Sequence, residues 1–154
     1  MINLIEECNV TSATLAIELE RATINYQPLE SGSLYVHEDG WFPFWVVLRE
    51  SAGLINLTTY IGFRDTSTTL ERLDLANTIN RYAYGLTSWV EDDLLKMEHT
   101  INYCNGVLRE TFIRVTRNFA AVVTKSLKQY DPDHKLLVPL GEVSAENDDN
   151  ARRA

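Results

Sequence analysis

The stretch "FPFWVVLRESAGLINLTTYIGF", residues 42–63, decides the fold. It reads as two strands, 42–50 and 54–63, joined by a turn at Ser51-Ala52-Gly53. A connection this short forces antiparallel neighbours. The first strand nevertheless breaks the pattern of a half-buried strand, which alternates apolar and polar residues. Phe42, Phe44, Val46 and Leu48 point one way, and Trp45 and Val47 point the other. Both faces therefore ask for cover. Pro43 lacks an N–H, so it belongs at the strand's start or on an unpaired side.

Upstream, "SLYVHE" (33–38) alternates, and "EDG" (38–40) is a turn in which Gly40 can take a positive φ. Residues 33–63 thus form a three-stranded meander. Before it, "TSATLAIELERATI" (11–24) has helical periodicity, with Leu15, Leu19 and Ala22 on one stripe and Glu18, Glu20 and Arg21 facing away. Residues 1–8 read as a short helical lead-in anchored by Ile2 and Ile5. After the meander, residues 64–85 read as a helix. Thr68 and Glu71 fit a capping box, and Gly85 stands where a glycine ends a helix.

A second hairpin joins 86–91 to 94–103 around Asp92-Asp93. In its second arm Leu95, Met97, Ile101 and Tyr103 share one face with His99, while Lys96, Glu98, Thr100 and Asn102 share the other. One face of that strand is wet. The last helix is expected over 106–130 with Asn105 as its N-cap. Leu108, Phe112, Val115, Phe119 and Val122 form its stripe, widened by Ile113, Ala120, Val123 and Leu127. That exceeds the usual arc of about 100°, so the helix is expected to touch more than one surface.

"DPDHKLLVPLG" (131–141) is expected to dock by Leu136, Leu137 and Val138. Residues 142–154 are polar and read as a disordered tail, leaving a single domain over residues 1–141. The order α-β-β-β-α-β-β-α predicts an α+β fold: an antiparallel five-stranded sheet with flanking helices.

The composition narrows the function. The chain has 154 residues, 45% of them hydrophobic, which suits one sizeable core. A formal net charge of −8 argues against nucleic acid or an anionic membrane as partner, since both need basic surface. No run of about 18 apolar residues exists to span a bilayer. The opening "MINLIEECNVTSA" has no basic start and no long apolar core, so no signal peptide is expected. Cys8 and Cys104 form no C-x-x-C and read as reduced thiols of a cytoplasmic protein. In that setting the N-x-T sequons at Asn9 and Asn56 are chance.

No G-x-S-x-G, P-loop or G-x-G-x-x-G occurs. His37, His99 and His134 lie on separate elements, and Asp131-Pro132 reads as a helix terminator. Glu91, Asp92 and Asp93 sit at a hairpin tip, with no cleft to raise one carboxyl's pKa. Arg109, Arg114, Arg117, Lys125 and Lys128 on the last helix read as a solvated face. No catalytic residue, metal ligand or cofactor is expected.

Three stretches carry a resemblance: the 42–61 hairpin, the helix "LERLDLANTINR", and "WVEDDLLKMEHTI" leading into the long helix. With the element order, they resemble the YbjN family over roughly residues 11–130. The most specific piece is "LDLANTIN" (73–80), where the family shows a leucine followed by asparagines three apart. Ala76 replaces the leucine that often precedes the first asparagine. The resemblance implies a bacterial cytoplasmic regulator or chaperone-like binding protein, not an enzyme. It also implies the fold of type III secretion chaperones, and a homodimer.

Two sets of residues are candidates. Positions 73, 77, 80 and 84 line one helix face, placing Asn77 and Asn80 on or beside the apolar stripe. There the amides either hold backbone of a neighbouring element or contact a ligand. Trp41, Trp45, Val47 and Trp89 are the candidate interaction surface, because tryptophan is enriched in interface hot spots. The leading expectation is a non-catalytic interaction module acting as a homodimer. The alternative is a small-ligand sensor, or an enzyme with an unrecognised site, built on the Asn77–Asn80 face.

Overall fold

A computed structural model of the chain describes residues 3–140. The expected tail at 142–154 lies outside the described residues. The chain runs β1 (Leu4–Ile5), α1 (Ser12–Arg21), β2 (Tyr26–Pro28), β3 (Leu34–Val36), β4 (Phe44–Arg49), β5 (Leu54–Gly62), α2 (Thr69–Tyr82), β6 (Thr87–Glu91), β7 (Leu94–Asn102), β8 (Val107–Leu108) and α3 (Arg109–Tyr130). Six strands form one antiparallel sheet in the order β2-β3-β4-β5-β7-β6. β1 and β8 pair separately.

The α+β class stands, but the main sheet has six strands rather than five. The extra one, β2, is three residues long and ends in proline, so it shows no alternation. Pro28 is tolerated because β2 lies at the sheet's edge. Residues 4–5 form a strand, not a helical lead-in, and a 3-10 turn follows at Glu7–Asn9. Asn105 does not cap the last helix. It turns the chain at φ 69°, ahead of Gly106 at φ 94°, and the helix starts at Arg109 with Leu108 at the cap position. A Cβ on Gly106 would stand 2.6 Å from the Ile5 carbonyl oxygen, so glycine is what lets β8 approach β1.

Side-chain bonds fix the ends of other elements, and the first helix spans Ser12–Arg21 rather than 11–24. Thr11 caps α1 by accepting the Thr14 N–H. Thr68 and Glu71 form a reciprocal capping box on α2. Pro43 precedes β4, and its carbonyl accepts a 2.7 Å bond from the hydroxyl of Thr59, which is otherwise fully buried.

All three helices bury their apolar sides in one cluster with the inner face of the sheet. Leu15 and Leu19 of α1, Leu75 and Ile79 of α2, and Phe112, Phe119 and Val123 of α3 meet Phe44, Val46, Ile55, Leu57, Leu95 and Met97. Phe119 meets Phe44 edge-on at 5.2 Å and ties α3 to β4. Each such side chain contributes about 1.5–3 kcal/mol by leaving water. The wide stripe of α3 is thus absorbed on this side, against the sheet and the other helices.

Two polar residues lock the layer. Glu18 is buried, not facing away, and pairs with both Arg21 and Arg109, joining α1 to α3. Asp131 does more than end a helix. It is buried, and its carboxylate accepts backbone N–H bonds of 2.9–3.2 Å from Lys135, Leu136 and Leu137. Those bonds turn the chain so that Leu137 docks against Phe63 and Val138 N–H bonds the Gly62 carbonyl.

Candidate interaction surface

Strand alternation decides what the other face of the sheet carries. Side chains pointing away from the helices include Tyr35, Trp45, Val47, Asn56, Thr58, Tyr60, Lys96, Glu98, Thr100 and Trp89. None of them is buried, whereas nearly every inner-face neighbour is. The second face of β4 is therefore not met by the last helix, and no described element covers it.

The ladder register builds an aromatic cluster there. Tyr35 stands opposite Trp45 across β3 and β4, and their rings lie 5.2 Å apart. On the other side Trp45 stacks on Tyr60 at 4.8 Å, with ring planes 3° apart. Each aromatic pair is worth about 0.5–1.5 kcal/mol beyond its burial. Thr58, Glu98 and Thr87 continue the row that starts at Tyr35 and Trp45. Val47 lies in the next row, opposite Asn56. The Asn56 amide donates to Glu98 at 3.1 Å.

Trp89 lies on the same face, on the edge strand β6. Its indole N–H donates to Glu91 at 3.2 Å, and Glu91 also meets the Lys96 ammonium at 2.8 Å. These bonds, that of Lys96 first, hold the Glu91 carboxyl below its ordinary pKa.

Trp41 does not join this surface. It sits in the loop before β4 and packs near Phe44, ring centroids 6.4 Å apart, on the helix side. Of the four expected surface residues, Trp45, Val47 and Trp89 share a face and Trp41 leaves it. Tyr35 and Tyr60 belong to the cluster and carried no signal alone. Their strand parity was readable, but the register that sets them beside Trp45 was not.

The two asparagines also separate. The buried stripe of α2 is Leu75, Ala76 and Ile79, so the face with Leu73, Asn77 and Tyr84 looks outward. Leu73 is 46% exposed and Tyr84 89% exposed. The amides therefore do not lie in an apolar stripe. Asn80 receives the Ser88 N–H at 2.7 Å and donates to the Ser88 carbonyl at 2.8 Å, tying α2 to β6. Asn77 is exposed and makes no such bond. His37, His99 and His134 remain apart, and among the described residues no three His, Cys, Asp or Glu side chains group as a metal site would need.

Fold and surface together define a small α+β domain with the described helices on one face of an antiparallel sheet and an aromatic cluster on the other. Residues 11–129 match the YbjN family, described as "putative bacterial sensory transduction regulator", and the chain belongs to that family. Among solved structures it is similar to a crystal structure described as "YbjN, a putative transcription regulator from E. coli". The TM-score is 0.69 at 19% identity, covering 82% of this chain and 95% of the other. At that identity the likeness shows the fold. No curated protein matches the chain.

Proposed function

We propose that this chain is a non-catalytic, cytoplasmic interaction module, regulatory or chaperone-like, that pairs as a homodimer through the aromatic face of its sheet. The observation that carries the reading is the stacked Tyr35–Trp45–Tyr60 cluster on the sheet face away from the helices, flanked by Val47 and Trp89. At about 4.8 Å between strands and about 3.3 Å per residue, six strands of three to nine residues give a face on the order of 550 Å². A standard interface uses about 800 Å² per partner, so the face supplies most of one partner's share and the strand ends and flanking loops would supply the rest. Lys96 and Glu98, opposite in sign and two residues apart on β7, suit a self-complementary two-fold contact. The likeness to secretion chaperones rests on the family resemblance alone. The cytoplasmic assignment is supported by free Cys8 and Cys104. No helix among the described residues is long and apolar enough to cross a membrane.

The test is sedimentation velocity at micromolar concentration on wild type, Trp45→Glu and Val47→Glu. The expected result is a dimer that becomes monomeric in both variants while the circular dichroism spectrum is kept. A wild-type monomer, or a dimer indifferent to both substitutions, overturns the reading.

A further inference from the structure

Trp41, which lies off the aromatic sheet face, stands at a different feature. A groove of about 570 Å³ runs between the loop before β4 and the outer side of α3, lined by Gly40, Trp41, Thr124, Lys125, Lys128 and Gln129. Binding clefts for small molecules run from about 300 to 1,000 Å³. The helix residues are placed by periodicity. Ala121, which also lines the groove, recurs with Thr124, Lys125 and Lys128 at i, i+3, i+4 and i+7, so these four share one side of α3.

The groove is built rather than incidental. The Phe42 N–H donates to the Thr124 hydroxyl at 2.9 Å and fixes the loop on the helix. Gly40 has φ +81°, and the space where a Cβ would stand over it is empty. Trp41 is braced against Phe44 and contributes a planar aromatic wall.

Its chemistry is one-sided. Lys125 and Lys128 are exposed, and among the described residues neither makes an ion pair, although the chain carries a net charge of −8. No carboxylate lines the groove. Asp39, next to Gly40 in the chain, is exposed and does not line the groove, and Glu38 is engaged by the backbone N–H and amide of Asn25. Two ammonium groups, the Gln129 amide and the Thr124 hydroxyl supply donors, and the indole supplies a stacking surface. Donors of this kind hold phosphate oxygens, and an aromatic wall accepts a base.

We infer that this groove binds a small anion carrying a planar ring, of the nucleoside diphosphate class. The site lies away from the aromatic sheet face and stands independently of the homodimer reading. An arrangement of this kind would let a ligand act on the module without occupying its contact surface.

The experiment is a titration of the full chain with ADP, followed by the indole N–H resonance of Trp41 in ¹⁵N-labelled protein, with Trp41→Phe identifying the peak. The expected result is a saturable shift at millimolar ADP or below that weakens as salt screens the lysines. Lys125→Gln/Lys128→Gln, altering only exposed side chains, is expected to weaken binding about tenfold or more. Pyrophosphate, which cannot stack, is expected to bind about fivefold more weakly or worse. An unmoved Trp41 indole at millimolar ADP overturns the inference. So does a shift unchanged in the double variant, or pyrophosphate binding as tightly as ADP.

Discussion

Replacing Asn80 by alanine separates a structural amide from an ornamental one. β6 is the last strand of the sheet, and Ser88 within it pairs with Met97 of β7. An edge strand leaves every second residue's N–H and C=O pointing away from its neighbour. At Ser88 those two groups are taken by Asn80, at 2.7 and 2.8 Å, while the Ser88 hydroxyl donates to the Ala76 carbonyl at 2.7 Å. The asparagine side chain thus acts as one residue of a missing seventh strand. Each neutral bond contributes about 1 kcal/mol net, and an orphaned buried partner costs about 1–3 kcal/mol. Ser88 is only 3% exposed, but Asn80 itself borders solvent, so water can replace part of what is lost. We expect Asn80→Ala to destabilise by about 2 kcal/mol, which lowers Tm by about 4–8 °C in a domain of this size. Asn77→Ala, four residues from Leu73 on the exposed face, should stay within about 0.5 kcal/mol of wild type. Urea denaturation of the three proteins at matched concentration measures this. Equal effects of the two substitutions, or a loss at Asn80 below about 0.5 kcal/mol, would refute the reasoning.

Other perturbations read other joints of the fold. Thr68→Ala should cost about 1 kcal/mol through loss of the α2 cap, measured by denaturation. In the same capping box the Thr68 N–H, and then its hydroxyl, hold the Glu71 carboxyl below its ordinary value of 4.5. A carboxyl lowered by folding contributes stability that is full above 4.5 and fades as pH falls through the folded value. The pH dependence of stability on the acid side should therefore be shallower in Glu71→Gln than in wild type. Glu18→Gln removes the buried carboxylate shared by Arg21 and Arg109. Arg109 is partly solvated, so the loss should be about 2 kcal/mol rather than the 3–5 of a fully buried pair. Gly106→Ala forces a Cβ against the Ile5 carbonyl at positive φ, and should cost more than about 1 kcal/mol in thermal unfolding.

How much of this was legible depended on whether a feature is local. The capping box, the Gly40 turn and the alternation of β7 sit within a few residues of one another, and each matched what the chain folds into. β2 was illegible because three residues ending in Pro28 show no period; it exists because β3 offers it an edge. Glu18 looked solvated because a helix wheel carries no information about Arg109, ninety-one positions away, which neutralises it. Asp131 looked like punctuation because the backbone N–H groups it gathers become donors only once the chain has turned. The candidate surface shows the same division. The parity of β4 placed Trp45 and Val47 opposite Phe44 and Val46, and that local statement is what the fold displays. Parity could not say which helix would fail to cover them, nor that Tyr35 and Tyr60 would arrive on either side. Those facts are set by ladder register. Register turns an isolated tryptophan into a braced aromatic platform, and the same loop geometry that starts β4 carries Trp41 to the opposite side, against the lysines of α3. Two tryptophans four residues apart thus lie on two different surfaces.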